Sequence, residues 1–309
     1  MKKIFIDGSS GTTGLRIRER LSARDDIEII DIDPEKRKDT SEKKKLLNLC
    51  DIAFLCLPDD AAKEAVSLIE NPDVIVLDTS TAHRTNENWT YGFPELGKAQ
   101  FEKVKNSKRI AVPGCHASGF IALVYPLVES GILPKDALLT CHSLTGYSGG
   151  GKNMIAEYEN ENHEYTKAPR QYGIAQTHKH LKEMKAISGL ENFPVFCPIV
   201  SNFYSGMQLT VPLFKNQLAD GYGISDIKNV YKEKYAGPMV KYTEDIAPDG
   251  FINTNCLKMK DSMAIGVFGN EDRMILVAVY DNLGKGASGA AIECMNICID
   301  KNITEGLEI

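Results

Sequence analysis

The first third of the chain alternates short apolar runs with helical patterns, and this alternation constrains the fold more than any other feature. The apolar runs lie at residues 2–6, 27–30, 52–57 and 74–77, with helical patterns between them at 14–22 and 59–69. Strands of a parallel sheet are continuously apolar because helices cover both faces of the sheet. We therefore expect an α/β fold with a Rossmann-type, doubly wound parallel sheet in this part of the chain.

A glycine-rich turn follows the first predicted strand directly and opens the first predicted helix. Its spacing is G-x-x-G-x-x-G, which differs by one residue from the usual dinucleotide fingerprint. Glycines permit a tight turn and close approach of the backbone, so that a pyrophosphate can lie on the helix N-terminus. The candidate cofactor-binding residues in this turn are Gly8, Ser10, Gly11, Thr12, Thr13 and Gly14.

The residues after the second predicted strand leave the choice between NAD and NADP open. Asp31 and Asp33 lie where an acidic residue normally binds the ribose 2′-hydroxyl of NAD. Lys36, Arg37 and Lys38 follow closely, and this basic group is suited to the 2′-phosphate of NADP. We take Arg37 as the candidate cofactor residue in this segment.

The length and the later sequence pattern predict a second domain. A chain of 309 residues exceeds the size at which a single core stops growing. Beyond about residue 137 the pattern changes to longer alternating stretches, which predict an α+β domain with a mixed or antiparallel sheet. A final helical pattern at 286–300 has an apolar side that we expect to pack on the first domain. The predicted domains are 1–114 plus 286–309, which binds NADP, and 115–285, which carries catalysis, substrate binding and oligomerisation.

Charge, hydropathy and cysteine spacing argue against several classes of protein. The net charge of -6 argues against nucleic acid or an anionic membrane as the main partner. We find no stretch that could span a bilayer and no cleavable leader, and we expect a cytoplasmic protein. The 8 cysteines have no C-x-x-C spacing, which favours reduced thiols over a disulfide framework or a zinc site.

Cys115 is the candidate nucleophile. It follows an apolar run at 109–112 and a turn formed by Pro113 and Gly114, and it precedes a helical pattern that reaches Ser130. The thiol is thus predicted in the first turn of a helix, where unpaired N–H groups and the helix dipole favour the thiolate. A thiolate is a strong nucleophile, whereas the alternative is a structural cysteine that happens to follow a turn.

Two histidines, His178 and His180, are the candidates for proton transfer. A thiol nucleophile needs such a group nearby, and imidazole has a suitable pKa. Glu183 is close enough in the sequence to fix a histidine tautomer, and Tyr172 precedes the pair. A structural histidine pair is the alternative. A metal site lacks a third ligand at useful spacing, so we expect no bound metal.

Two further turns are rich in glycine. Residues 143–152 contain three consecutive glycines before Lys152, a pattern typical of an anion-binding turn or a moving loop, with a flexible connection as the alternative. Residues 281–287 link a strand to the last helix, and we expect Asn282 and Lys285 to reach the cofactor. Arg84 and Lys152 are candidates for binding a phosphoryl group, with surface cations as the alternative. The candidate substrate-binding residues are Arg84, Ser143, Lys152, Tyr172 and Glu183.

Several segments of the chain together carry a resemblance to a known family. They are residues 5–14, 56–62, 91–96, 113–115, 146–152, 178–180 and 281–289, in this order. This combination resembles the shorter form of the N-acetyl-gamma-glutamyl-phosphate reductase family along nearly the whole chain. The family often has Asn-Pro-Gly-Cys-Tyr-Pro-Thr where residues 112–118 are VPGCHAS, and Pro-Glu-Ile where 182–184 are KEM. Neither departure touches Cys115, His178 or His180, but His116 becomes a further candidate proton donor.

The resemblance implies the NADPH-dependent reduction of an acyl phosphate to an aldehyde in arginine biosynthesis. It implies a thioester at Cys115, a fold shared with aspartate-semialdehyde dehydrogenase and glyceraldehyde-3-phosphate dehydrogenase, and a homodimer or homotetramer. One alternative is an aspartate-semialdehyde dehydrogenase, which typically has Asn-Cys-Ser/Thr at the nucleophile. Another is a regulator that senses NADP(H) without chemistry, although the chain has no basic recognition helix or partner-binding tail to support it.

Overall fold

The computed structural model describes residues 1–37, 39–160 and 163–309. In chain order, the strands are β1 (Lys2–Asp7), β2 (Ile27–Ile30), β3 (Ile52–Leu55), β4 (Ile75–Asp78), β5 (Thr90–Tyr91), β6 (Arg109–Ala111), β7 (Thr140–Gly146), β8 (Arg170–Gln171), β9 (Val195–Ser201), β10 (Met207–Phe214), β11 (Val240–Tyr242), β12 (Met263–Gly269) and β13 (Arg273–Tyr280). The α-helices are α1 (Thr12–Leu21), α2 (Thr40–Leu49), α3 (Asp59–Ser67), α4 (Lys98–Lys105), α5 (Cys115–Glu129), α6 (Gly151–Glu159), α7 (His180–Ser188), α8 (Ile224–Lys234) and α9 (Gly289–Cys298).

The described chain divides into two compact units. Unit 1 comprises Met1–Pro94, Lys98–Pro113 and Ala287–Leu307, and unit 2 comprises Glu95–Gly97, Gly114–Gly286 and Glu308–Ile309. The boundaries predicted from the sequence differ from this division by one residue at the two main junctions. They also assign the short segments 95–97 and 308–309 to the first domain. The functional assignment of the two domains stays a prediction.

Unit 1 is built on a parallel sheet. Among its described residues, six strands pair in the order β2-β1-β3-β4-β6-β5, and every pairing is parallel. Successive side chains of a strand point to opposite faces, so that Ile52 and Phe54 of β3 join one core while Ala53 and Leu55 join another. Residues of α1 and α9 complete the first core, and residues of α2 and α3 complete the second. The predicted doubly wound α/β fold is confirmed.

The last helix begins later than its sequence pattern predicts. Residues Gly284–Ser288 form a turn of π-helix, and the α-helix α9 starts only at Gly289. Its buried side chains, among them Ala291 and Cys294, lie in the first core of unit 1, as the apolar side of the pattern predicted.

Unit 2 contains a mixed sheet covered by a central helix. Its described residues form seven strands in the order β11-β12-β13-β10-β7-β9-β8. The β11/β12 and β7/β9 pairs are parallel and the other pairs are antiparallel, which confirms the predicted mixed sheet. Helix α5 is mostly buried and packs against β10, β13, α7 and α8. The helix that begins with Cys115 is therefore held on several sides.

In the parts of the chain that the structure describes, we find no helix with the length and apolar character needed to cross a membrane.

Candidate active site

Cys115 is the first residue of α5, as predicted, and its side chain is half-buried. Gly114 before it is extended, with φ -76° and ψ 145°, and forms the N-cap. The Gly114 N–H donates to Oε1 of Glu183 at 2.8 Å. The Glu183 side chain is buried, so this charge-assisted bond fixes the peptide that leads into the nucleophile. The sequence placed Glu183 near the histidines but did not predict this contact.

The carbonyl of Cys115 is bound by a tyrosine that the sequence did not single out. The hydroxyl of Tyr280, the last residue of β13, donates to the Cys115 carbonyl oxygen at 2.6 Å. The same hydroxyl accepts a hydrogen bond from the N–H of Gly119 at 3.1 Å. The backbone on the helical side of the nucleophile is therefore fixed as well.

The turn after β13 closes against Cys115. A Cβ added to Gly286 would lie 3.1 Å from Cβ of Cys115, so only glycine fits here without displacing a neighbour. The buried Asp281 shapes this turn, because its carbonyl accepts from the Gly286 N–H at 3.0 Å. Its carboxylate accepts from the hydroxyl of Ser205 at 2.7 Å and from the N–H of Met259 at 2.6 Å. A side chain at position 286 would thus crowd the nucleophile.

His180 is the first residue of α7, and His178 lies two residues before it. Their ring centroids are 4.8 Å apart. The N–H of His180 donates to Nδ1 of His178 at 3.2 Å, so in neutral His178 the proton is on Nε2. Burial, and to a lesser extent the charge of Lys179, lowers the pKa of His178 to about 4. At neutral pH His178 therefore offers an Nε2–H donor.

His116 forms the centre of an imidazole cluster in unit 2. Its ring centroid lies 5.7 Å from that of His178 and 5.6 Å from that of His180. Its Nδ1 is hydrogen-bonded to Oγ of Ser143 at 2.8 Å, and its Nε2 to the hydroxyl of Tyr172 at 2.7 Å. The sequence marked His116 as a departure from a family motif and as a further candidate proton donor, and the structure brings it together with two candidate substrate residues.

Burial governs the ionisation of this cluster. It lowers the pKa of His116 to about 3, with a smaller contribution from the charge of His178. Burial also raises the pKa of Tyr172 well above its usual value, and the nearby Cys115 thiolate adds to that shift. His116, His178 and Tyr172 are thus neutral at pH 7. No group of three or more His, Cys, Asp or Glu side chains within the described residues is arranged to hold a metal ion.

Two of the candidate cofactor residues have structural partners within unit 2. The buried Asn282 side chain donates to Oγ of Ser148 at 2.9 Å and accepts from the N–H of Gly206 at 2.9 Å. The ammonium group of Lys285 is buried and forms an ion pair with Glu95. Contact of Asn282 and Lys285 with a cofactor stays a prediction.

The two candidate cations for the phosphoryl group differ in exposure. The buried guanidinium of Arg84, in unit 1, donates to the carbonyls of Val112 at 2.9 Å and Thr79 at 2.8 Å. Lys152 lies on α6 of unit 2 with an exposed side chain. Arg84 therefore has a structural role that the sequence did not predict, which weakens its candidacy as a substrate ligand.

The glycine turn of unit 1 is tightly packed. Gly8 has φ +88°, and a Cβ there would lie 2.3 Å from the carbonyl oxygen of Cys56. A Cβ on Gly14 would lie 2.4 Å from the carbonyl oxygen of Gly8. Gly11 is the N-cap of α1, and its N–H donates to the Gly8 carbonyl at 2.9 Å. Thr12 and Thr13 open the helix and Ser10 is exposed beside it.

The acidic and basic residues after β2 differ in their contacts. The carboxylate of Asp31 forms a two-pronged ion pair with Arg18, with the second contact at 2.8 Å. Asp33 caps the short 3₁₀ helix Pro34–Lys36 by accepting from the N–H of Glu35. Arg37 is exposed, and the prediction on Lys38 falls outside the described residues.

The sequence matches two family models. Residues 9–104 match the semialdehyde dehydrogenase NAD binding domain, and residues 115–282 match the semialdehyde dehydrogenase dimerisation domain. Solved structures show the same fold. The aspartate semialdehyde dehydrogenase II of Vibrio cholerae, complexed with ASA, has a TM-score of 0.72 at 14% identity, covering 97% of this chain and 98% of that one. The aspartate semialdehyde dehydrogenase of Candida albicans with NADP has a TM-score of 0.67 at 16% identity, covering 98% and 99%.

Relatives with higher identity define the family more narrowly. The N-acetyl-gamma-glutamyl-phosphate reductase of Allorhizobium ampelinum is 46% identical over 305 residues, which cover 96% of this chain and 98% of the relative. The enzyme of the same name from Brucella ovis is 44% identical over 307 residues, which cover 97% and 99%. With this identity along nearly its full length, the chain belongs to the N-acetyl-gamma-glutamyl-phosphate reductase family.

Proposed function

We propose that this protein catalyses the NADPH-dependent reduction of N-acetyl-gamma-glutamyl phosphate to N-acetylglutamate 5-semialdehyde and phosphate. The observation that carries the proposal is the placement of Cys115 in the first turn of α5. Contacts from Glu183 and Tyr280 fix the backbone on either side of it, and the imidazole cluster begins at the next residue. The family to which the chain belongs supports the substrate.

The glycine turn of unit 1 fits a dinucleotide. Gly11 at the N-cap has no side chain to occupy the first-turn N–H groups of α1, so these groups suit a pyrophosphate. The close packing of Gly8 and Gly14 keeps the turn tight. Because Arg18 pairs with Asp31, the acidic acceptor expected for a 2′-hydroxyl is neutralised, which favours NADP over NAD. When bound, NADPH supplies the hydride.

Cys115 performs the covalent chemistry. Its thiolate attacks the acyl carbon, the C–S bond forms, the bond from carbon to the phosphate oxygen breaks, and phosphate leaves. After reduction of the thioester, the thiohemiacetal returns its hydroxyl proton to the histidine, the C–S bond breaks, and the aldehyde and the Cys115 thiolate are released. The first-turn N–H groups of α5 stabilise the developing oxyanion. The exposed Lys152 is better suited than Arg84 to contact the phosphoryl group.

The histidines supply the proton. Neutral His178, with its proton on Nε2, is a donor for the departing phosphate or for the thiohemiacetal oxygen, and His180 is the alternative donor. Single His178→Asn and His180→Asn variants should differ in the pH dependence of turnover. If both variants keep the wild-type profile, neither residue takes part in proton transfer.

Replacement of the nucleophile tests the proposed function. Cys115→Ser should abolish the oxidation of NADPH by the acyl phosphate while NADPH binding, followed by fluorescence titration, stays as in the wild type. The matched control is Cys256→Ser, which changes an exposed thiol of the same unit and should keep full turnover. Turnover in Cys115→Ser would contradict the mechanism. Faster wild-type turnover with aspartate semialdehyde than with N-acetylglutamate semialdehyde would contradict the substrate.

The match of residues 115–282 to a dimerisation domain supports a homo-oligomer, and a dimer or a tetramer is the proposed assembly. Light scattering on the purified protein should give a mass of two or four chains, and a monomer would contradict the proposal. The cytoplasm remains the predicted compartment.

A further inference from the structure

We propose that Tyr280 is a positioning residue for Cys115, which acts by fixing the orientation of the Cys115 peptide in the first turn of α5. This inference rests on the proposed role of Cys115. It assigns a function to a buried tyrosine that does not itself contact the reacting atoms, and it begins from the hydrogen bonds of the tyrosine hydroxyl.

The hydroxyl contacts two backbone groups that are hydrogen-bond partners within the helix. In an α-helix the N–H of residue 119 donates to the carbonyl of residue 115, four positions earlier. Here Oη of Tyr280 lies 2.6 Å from the Cys115 carbonyl oxygen and 3.1 Å from the Gly119 nitrogen. The phenol accepts the proton of one partner and donates its own to the other. The hydroxyl therefore ties both groups to β13, in addition to their bond within the helix.

Gly119 provides the space for this insertion. A Cβ at position 119 would lie 2.6 Å from the Tyr280 hydroxyl and 2.8 Å from Cε1 of the ring. Any other residue at this position would expel the hydroxyl or shift the helix. The glycine within α5 is therefore matched to the tyrosine, which explains why a helix interior accepts a residue of low helix propensity.

The tyrosine itself is held firmly. It is fully buried at the end of β13, where it pairs with Met207 of β10 and Met263 of β12. The next residue, Asp281, anchors the turn whose Gly286 packs against Cys115. A strand in the interior of the sheet thus sets the orientation of the Cys115 peptide.

Unit 2 supplies a matched control on the same helix. The hydroxyl of Tyr235, also fully buried, donates to the carbonyl of Ala122 in α5 at 2.7 Å. Removing either hydroxyl deletes one buried hydrogen bond to a backbone carbonyl of α5. Of these two hydroxyls, only that of Tyr280 contacts the carbonyl of Cys115. Replacing each tyrosine by phenylalanine therefore separates positioning of the nucleophile from general support of the helix.

The test compares Tyr280→Phe with Tyr235→Phe in the full chain. Tyr280→Phe removes the hydroxyl and leaves the Cys115 carbonyl and the Gly119 N–H with only their bond within the helix, so β13 no longer fixes the orientation of the Cys115 peptide. Small misplacements of reacting groups slow a reaction strongly. We therefore expect kcat to fall by about 10- to 100-fold, with little change in the KM for NADPH. The pH profile for alkylation of Cys115 by iodoacetamide, followed by peptide mass spectrometry, should also shift.

Tyr235→Phe should keep the wild-type kcat and alkylation profile. The proposal is overturned if Tyr280→Phe behaves like the wild type in both measurements, or if both variants lose activity equally with unchanged alkylation profiles. Alkylation of Cys115 needs no substrate, so the test of Tyr280 remains valid even if the proposed function is wrong. In that case the wild type would not turn over the acyl phosphate, while the alkylation profiles would still decide the role of Tyr280.

Discussion

The buried His116 makes a quantitative prediction about acid stability. Its imidazole is 3% exposed and hydrogen-bonded on both nitrogens, to Ser143 and Tyr172. Burial lowers its pKa from 6.5 to about 3. Between these two values the unfolded chain binds a proton at this residue and the folded chain does not. Because the unfolded state binds more protons there, the free energy of unfolding falls as the pH falls through this window.

The size of the effect follows from the pKa shift. Well below pH 6.5, each pH unit removes about 1.4 kcal/mol from the free energy of unfolding because of this one residue. Between pH 7 and pH 5 the loss that His116 causes is therefore about 2 kcal/mol. Other groups titrate in the same range, so the effect of His116 has to be measured as a difference between two proteins.

Urea denaturation of the wild type and of His116→Gln at both pH values isolates this difference. His178 and the carboxylates titrate in both proteins, so their contributions largely cancel. The stability of the wild type relative to the variant should shrink by about 2 kcal/mol between pH 7 and pH 5. The variant His142→Gln, which changes an exposed histidine of β7, controls for the loss of a histidine as such. A difference between wild type and His116→Gln that does not change with pH would refute the reasoning.

Two further predictions concern buried charge and tight packing. Lys285→Met should lower the free energy of unfolding by about 1–3 kcal/mol because it leaves the partly buried Glu95 carboxylate without its ion-pair partner, whereas Lys285→Met combined with Glu95→Leu should recover most of that loss. Chemical denaturation measures both, and equal stability of the single and double variants would show that the pair is not structural. Gly14→Ala places a Cβ 2.4 Å from the Gly8 carbonyl oxygen, so it should cost about 1–3 kcal/mol and weaken NADPH binding in a fluorescence titration. Gly237→Ala, where a Cβ meets open space, should change neither the stability nor the NADPH affinity. If Gly14→Ala binds NADPH as tightly as the wild type, the proposed role of the glycine turn is contradicted.

The sequence predicted those features that depend on neighbouring residues. The apolar runs of β1 to β4 gave the parallel sheet, because strands covered on both faces need no polar alternation. The turn before Cys115 predicted a helix start from local chemistry alone, and the helix begins there. The last helix was placed too early, since the apolar pattern does not distinguish α-helix from the π-turn Gly284–Ser288.

The contacts around Cys115 that join distant parts of the chain could not be predicted in this way. Tyr280 and Cys115 are separated by 165 positions, and nothing in an alternating strand pattern marks which tyrosine will meet a helix carbonyl. The contact of Glu183 with Gly114 spans 69 positions. For Arg84 the residue type suggested a phosphate ligand, but the fold uses its guanidinium to bind backbone carbonyls. Such pairings depend on the packing of whole elements.

Direct detection of an acylated Cys115 tests whether the reaction passes through a thioester. The protein is mixed with N-acetyl-gamma-glutamyl phosphate in the absence of NADPH, quenched in acid, digested and analysed by mass spectrometry while released phosphate is measured in parallel. We expect one N-acetylglutamyl group on the Cys115 peptide for each phosphate released, and its discharge as aldehyde when NADPH is added before the quench. Release of phosphate that requires NADPH, with no acyl group on Cys115, would contradict it.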